Sequence, residues 1–99
     1  MASKVLSDEE IQRRLAETQA WEWKREEKLI ERNFVFKDFR EAMAFLVQVA
    51  FEAEEADHHP DISLSYKRLK LRLTTHSEKG LTEKDFNLAK KINEVLGAR

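Results

Sequence analysis

Cysteine is absent from the 99 residues, proline occurs once, glycine twice and histidine three times. Without a thiol the chain forms no disulfide, no thiolate metal site and no cysteine nucleophile, and it needs no oxidising compartment. No apolar run approaches the roughly 18 residues that signal a membrane span. The opening MASKVLSDEE meets charge too early for a secretory leader. Neither sign of charge dominates: 18 Lys and Arg stand against 19 Asp and Glu, a net of −1. A nucleic-acid footprint ordinarily shows as a basic excess or stripe. The one basic run, YKRLKLRL, alternates with leucine and reads as the solvated face of a strand. Glycine-rich phosphate loops and a Ser-His-Asp arrangement are also missing. The expectation is a cytoplasmic protein with neither a membrane nor a nucleic-acid partner.

What is present suits one domain over residues 1–99. Hydrophobic residues make up 41% and charged residues 37%, with no composition break between them. So small a chain buries a modest share of its surface, and association with further copies would help it.

Ser7 and Glu10 have the spacing of a capping box and open a helix with Ile11, Leu15 and Thr18 on its apolar side. WEWKRE and LIERNFVF then alternate as strands, joined by a charged turn near residues 26–28. Asp38 and Glu41 open a long helix running to about Ala56. Phe39, Ala42, Met43, Leu46, Val49, Ala50 and Ala53 mark one side of it at helical period, and Phe45, Val47 and Phe51 fall outside that stripe. A helix apolar on more than one face is buried on more than one face, so the second face is expected to meet another copy.

Two alternating runs follow, Ile62–Leu64–Tyr66 and Leu69–Leu71–Leu73. A turn at Lys67–Arg68 would pair 62 with 73, 64 with 71 and 66 with 69, which matches burial on both strands. Carried outward, this register sets His59 opposite His76. Thr82 caps a last helix with Phe86, Ala89, Ile92 and Leu96 inward. The order helix, strand, strand, helix, strand, strand, helix predicts an α+β fold, with three helices on one face of a four-stranded antiparallel sheet.

The three histidines are concentrated. His58 and His59 precede the only proline, Pro60, and His76 lies one hairpin later. Imidazole titrates near neutral pH, so one ring can take a proton while another gives one. Plainer readings stand beside this. His58 at a helix end can bond the last carbonyls and complement the dipole. Asp57 and Asp61 suit turns, Asp85 is spaced to complete a capping box with Thr82, and Trp21 suits the core. Three histidines also suit zinc, although adjacent side chains on extended chain diverge; no metal site is expected.

The stretch EEADHHPDISLSYKRLKLRLTTHSEKGLTEKDFNLAKKI resembles the signature of the pterin-4a-carbinolamine dehydratase family. The matching positions are Glu54, His58-His59-Pro60, Tyr66, His76 and Asp85, and FVFKDFREAMAFLVQVAFEAE and Trp21 also look like the family. Ile62 and Ser63 stand where animal members tend to carry aromatics, a difference at the pocket rim. The resemblance implies a four-stranded antiparallel sheet with helices on one side, dimers that join sheets, and tetramers through the 38–56 helix. It implies a hydro-lyase that dehydrates 4a-hydroxytetrahydrobiopterin to the quinonoid dihydropterin, within tetrahydrobiopterin recycling, with no metal or organic cofactor. His58 and His76 would transfer protons, His59 would bind and orient the pterin, and Asp57 and Asp85 would orient imidazoles. Trp21, Thr74, Thr75 and Ser77 would meet the substrate. Some members act as dimerisation partners of a homeodomain transcription factor, so the alternative is a coactivator-type binding module, with Phe45 and Phe51 as contacts.

Overall fold

Ser7 accepts a hydrogen bond from the Glu10 amide and Glu10 reaches back to the Ser7 amide, opening helix α1 (Asp8–Ala16). The same reciprocal device at Thr82 and Asp85 opens α3 (Glu83–Gly97). Asp38 caps the long helix α2 (Phe39–Ala56) through the Glu41 amide at 2.9 Å. Each such cap satisfies amides with no partner within the helix and contributes about 1 kcal/mol.

The computed structural model describes residues 4–98. Among them, strands β1 (Glu22–Lys24), β2 (Leu29–Val35), β3 (Asp61–Ser65) and β4 (Arg68–Leu73) form one antiparallel sheet in the order β1-β2-β4-β3. The predicted α+β architecture is therefore the observed one. Alternation sorts the two faces of the sheet. Ile30, Phe34, Leu69, Leu71 and Leu73 point to the helices and join Phe45, Phe86 and Ile92 in one core. Glu31, Asp61, Lys70 and Arg72 belong to the opposite, open face. No helix among the described residues is long and apolar enough to cross a membrane.

Two expectations require correction. The hairpin between β3 and β4 turns at Tyr66–Lys67, one residue earlier than predicted, with Ser65 opposite Arg68 and Tyr66 at φ 55°. Ile62 therefore faces Leu71, and Leu64 faces Leu69. The slip moves each partner by two positions, which leaves every side chain on its predicted face, so hydrophobic alternation could not detect it. Ile62 and Tyr66 nevertheless stay 48% and 62% exposed on this edge hairpin. Continued outward, the observed ladder would set His59 against Thr74, not His76.

The second correction concerns α2. Its buried line is Ala42, Phe45, Val49 and Ala53. Phe45, placed outside the stripe by sequence, is fully buried, whereas Phe39 and Met43, placed inside it, are exposed. The Phe45 ring lies 5.1 Å from Phe34 and 5.2 Å from Phe36 between centroids, in tilted contacts that favour aromatic edges over faces. Phe45 is thus a core anchor and is removed from the candidate partner contacts.

Candidate active site

The end of α2 determines where the histidine pair goes. Asp57 closes the helix in the left-handed region, at φ 51° and ψ 43°, and its amide returns to the Ala53 and Glu54 carbonyls. The His58 amide bonds the Ala53 carbonyl at 3.1 Å. This reversal turns His58 inward and leaves His59 outside.

His58 is buried, and its Nε2 lies 2.6 Å from Asp85 Oδ1. Asp85 is itself fully buried in the first turn of α3. Its second oxygen, Oδ2, accepts from the Thr82 amide at 2.9 Å and from the Thr75 hydroxyl at 2.8 Å. The hydroxyls of Thr75 and Thr82 lie 2.7 Å apart. Thr75 is fixed in turn by a backbone bridge to Gly80, which closes the 3-10 turn His76–Glu78. A buried carboxylate with this many donors is fully compensated for the water it has lost.

His59 is exposed, and its Nε2 lies 2.5 Å from Glu54 Oε2, one turn back on α2. His76 starts the 3-10 turn, also exposed, with Nε2 3.7 Å from Asp61 Oδ2. Asp61 is two residues beyond His59, so the start of β3 links the histidine pair to His76. All three histidines of the chain therefore have a carboxylate at Nε2. A carboxylate so placed fixes the tautomer, orients the ring and stabilises the imidazolium that forms when the other nitrogen takes a proton.

Two clefts flank this arrangement. One, of about 330 Å³, is lined by Lys28, Leu29, Asp61, Thr74, His76 and Lys79, among others. The other, of about 300 Å³, lies between α2 and α3, and His58 contributes to its wall with Glu55, Lys84, Leu88 and Lys91. Thr74 borders the first cleft and spends its hydroxyl on the Lys28 carbonyl at 2.7 Å. Ser77 is exposed on the 3-10 turn. Thr75 is buried, with its hydroxyl committed to Asp85 and Thr82.

Trp21 is buried, donates from Nε1 to Asn93 Oδ1 at 2.9 Å and lines neither cleft. Asp57 is exposed, and among the described residues no imidazole pairs with it. The carboxylates at His59 and His76 are Glu54 and Asp61. Sequence reasoning had Glu54 only as a spaced acid and Asp61 only as a turn residue. No three His, Asp or Glu side chains among the described residues are grouped as a metal site requires.

Comparison with known proteins adds an independent line. The family model described as Pterin 4 alpha carbinolamine dehydratase matches residues 4–95. A Sulfolobus acidocaldarius protein provisionally named pterin-4-alpha-carbinolamine dehydratase is 47% identical over 90 residues, covering 91% of this chain and 97% of the relative. A Chloroflexus aurantiacus protein with the same provisional name is 49% identical over 92 residues, covering 93% and 97%. Among solved structures, a transcriptional coactivator/pterin dehydratase from Brucella melitensis is similar with a TM-score of 0.89 and 38% identity, over 93% of this chain and 98% of that one.

Proposed function

This chain belongs to the pterin-4a-carbinolamine dehydratase family, a family of hydro-lyases, and from that premise we propose that it removes water from a 4a-hydroxytetrahydropterin by histidine acid–base catalysis. The observation that carries this reading is the pairing of every imidazole in the chain with a carboxylate. The reaction makes an N5=C4a double bond. The proton on N5 leaves to a base, the electron pair of that bond forms the new π bond, and hydroxide departs from C4a as water after an acid protonates it. One group must accept a proton and another must donate one in the same pocket, at a pH where both states are populated. Imidazole meets that need, and each positioned group contributes about 10²- to 10⁴-fold.

His59 and His76 share the two proton transfers. Both are exposed, each has its Nε2 toward a carboxylate, and Asp61 lies between them along the chain. The reading from sequence gives His58 this role, but His58 is buried with Nε2 held by Asp85. It serves as a buried anchor at the end of α2 that fixes the backbone from which the adjacent His59 projects. The cleft beside His76, with Asp61 and the Thr74 backbone at hand, suits the hydrogen-bonding edge of a pterin such as tetrahydrobiopterin.

The test is stopped-flow observation of quinonoid dihydropterin forming from the carbinolamine, with chelator-treated protein. His59→Ala and His76→Ala each lose about 10²-fold or more in rate while circular dichroism is unchanged. Wild-type rates in both variants would defeat the assignment, and activity that returns only with added zinc would replace it by metal catalysis.

A second reading concerns partners and has its own observation. Phe39, Met43, Val47 and Phe51 recur every four residues along α2 and are all exposed. We propose that this ridge pairs with the same ridge of another copy. The edge strand β3 offers a second surface, because its outer backbone groups are free to take another strand.

A further inference from the structure

Thr75 and Thr82 line neither of the two clefts and their hydroxyls bond no imidazole, yet both are buried and those hydroxyls are placed behind Asp85. Direction in this cluster follows by elimination. Asp85 presents two acceptor oxygens, so the single hydroxyl proton of Thr75 goes to Asp85 Oδ2 at 2.8 Å. Thr75 Oγ1 is then the acceptor in its 2.7 Å contact with Thr82, and the Thr82 hydroxyl donates. Thr82 Oγ1 accepts from the Lys84 amide at 3.2 Å, a bond that leaves its own proton available for Thr75. The Thr82 amide also donates to Asp85 Oδ2, at 2.9 Å. Every proton in the chain of bonds points toward the carboxylate. Oδ1 is left with one task, to accept from His58 Nε2 at 2.6 Å.

We infer that the Thr82–Thr75 hydroxyl relay is a positioning device that aims Asp85 at His58 and fixes His58 as the Nε2–H tautomer. The two threonines come from different elements. Thr75 follows β4 and precedes His76, whereas Thr82 caps α3. The relay therefore ties the loop carrying His76 to the wall carrying His58, so that both histidines are referenced to one carboxylate. Such chains polarise their members in a low-dielectric interior, and losing one link leaves the next group unpaired. The consequence for catalysis rests on the dehydratase reading. The tautomer itself does not.

The experiment is imidazole ¹⁵N NMR of the whole protein together with the dehydration rate, for wild type, Thr75→Val and Thr75→Ser. Valine keeps the volume and removes the hydroxyl; serine restores it. Wild type and Thr75→Ser should show His58 as a single Nε2–H tautomer. Thr75→Val should show mixed tautomers and a rate lower by about tenfold or more. A Thr75→Val protein that keeps the wild-type His58 signature overturns the proposal. Should Thr75→Val not fold, the unaltered protein still decides: a Thr75 hydroxyl proton that exchanges as fast as an exposed threonine's overturns it, and a slowly exchanging one upholds it. A tautomer that depends on Thr75 in a protein without dehydratase activity upholds the relay and removes only the functional reading.

Discussion

A glutamate on the open face of a sheet is normally solvated, yet Glu31 is only 4% exposed. Arg72 covers it, donating from Nε at 2.8 Å, while Lys24 stands at 3.8 Å. Burial acts to raise the Glu31 carboxyl, but the Arg72 hydrogen bond and the charges of Arg72, Lys24 and Lys70 outweigh it and hold the group below its ordinary value of 4.5. A depressed carboxylate contributes stability that is present above the unfolded value and is lost as pH falls through the folded one. Glu31→Gln is therefore less stable than wild type at pH 7, and the gap narrows below about pH 4.5. Urea midpoints at pH 7, 5, 4 and 3 measure this, and a gap constant across the series would show that the ion pair is not its source. Arg72 also faces Asp61 across the β3–β4 ladder. The network thus reaches the strand start that carries the carboxylate beside His76.

Among the elements, α2 shows most clearly which part of the fold was legible in sequence. Its start was, because Asp38 and Glu41 state a local chemistry that needs no tertiary context. Its inward face was not. Apolar residues occur at positions 39, 43, 47 and 51 as well as at 42, 45, 49 and 53, and two stripes offset by a few residues give one blurred period. Only the contacts of Phe45 with Phe34 and Phe36 decide between them. The β3–β4 hairpin divides the same way: alternation settled which face each side chain takes, but the pairing was set by a turn with Tyr66 at positive φ, which no glycine or asparagine announced. The candidate site follows suit. The histidine spacing was legible, whereas the Glu54–His59 pair depends on the left-handed Asp57, again without glycine. The correction at Phe45 makes a prediction. Phe45→Ala costs about 3–5 kcal/mol of unfolding free energy through lost burial and the cavity left behind. Phe51→Ala, 71% exposed in the isolated chain, costs a dilute monomer little. Denaturant melts of the two variants at low protein concentration separate these cases, and equal losses would put Phe45 back on the surface.

For the whole molecule, the open question is what the outer ridge of α2 does with its apolar surface. Among the described residues eight large hydrophobics are more than a third exposed, and four of them, Phe39, Met43, Val47 and Phe51, stand on this one helix at a spacing of four. Scattered apolar residues on a surface are ordinary, but a continuous ridge on an 18-residue helix is the pattern of a buried contact. The two edges of the sheet are unlike each other. β1 is three residues long and carries Glu22 and Lys24, features that discourage another strand, whereas β3 is longer and presents Ile62 and two serines. Under the proposed pairing, a helix ridge meeting its own copy and a sheet edge meeting its own copy would both be two-fold surfaces, and together they would close a tetramer. Phe51→Glu puts a charge at the most exposed position of the ridge, where burying it unpaired is costly. Light scattering after size exclusion should then show four chains for the wild type and two for the variant, with the β3 contact intact. A fall to a single chain would mean that the ridge alone holds the assembly, and an unchanged mass would mean that α2 is not an interface between copies.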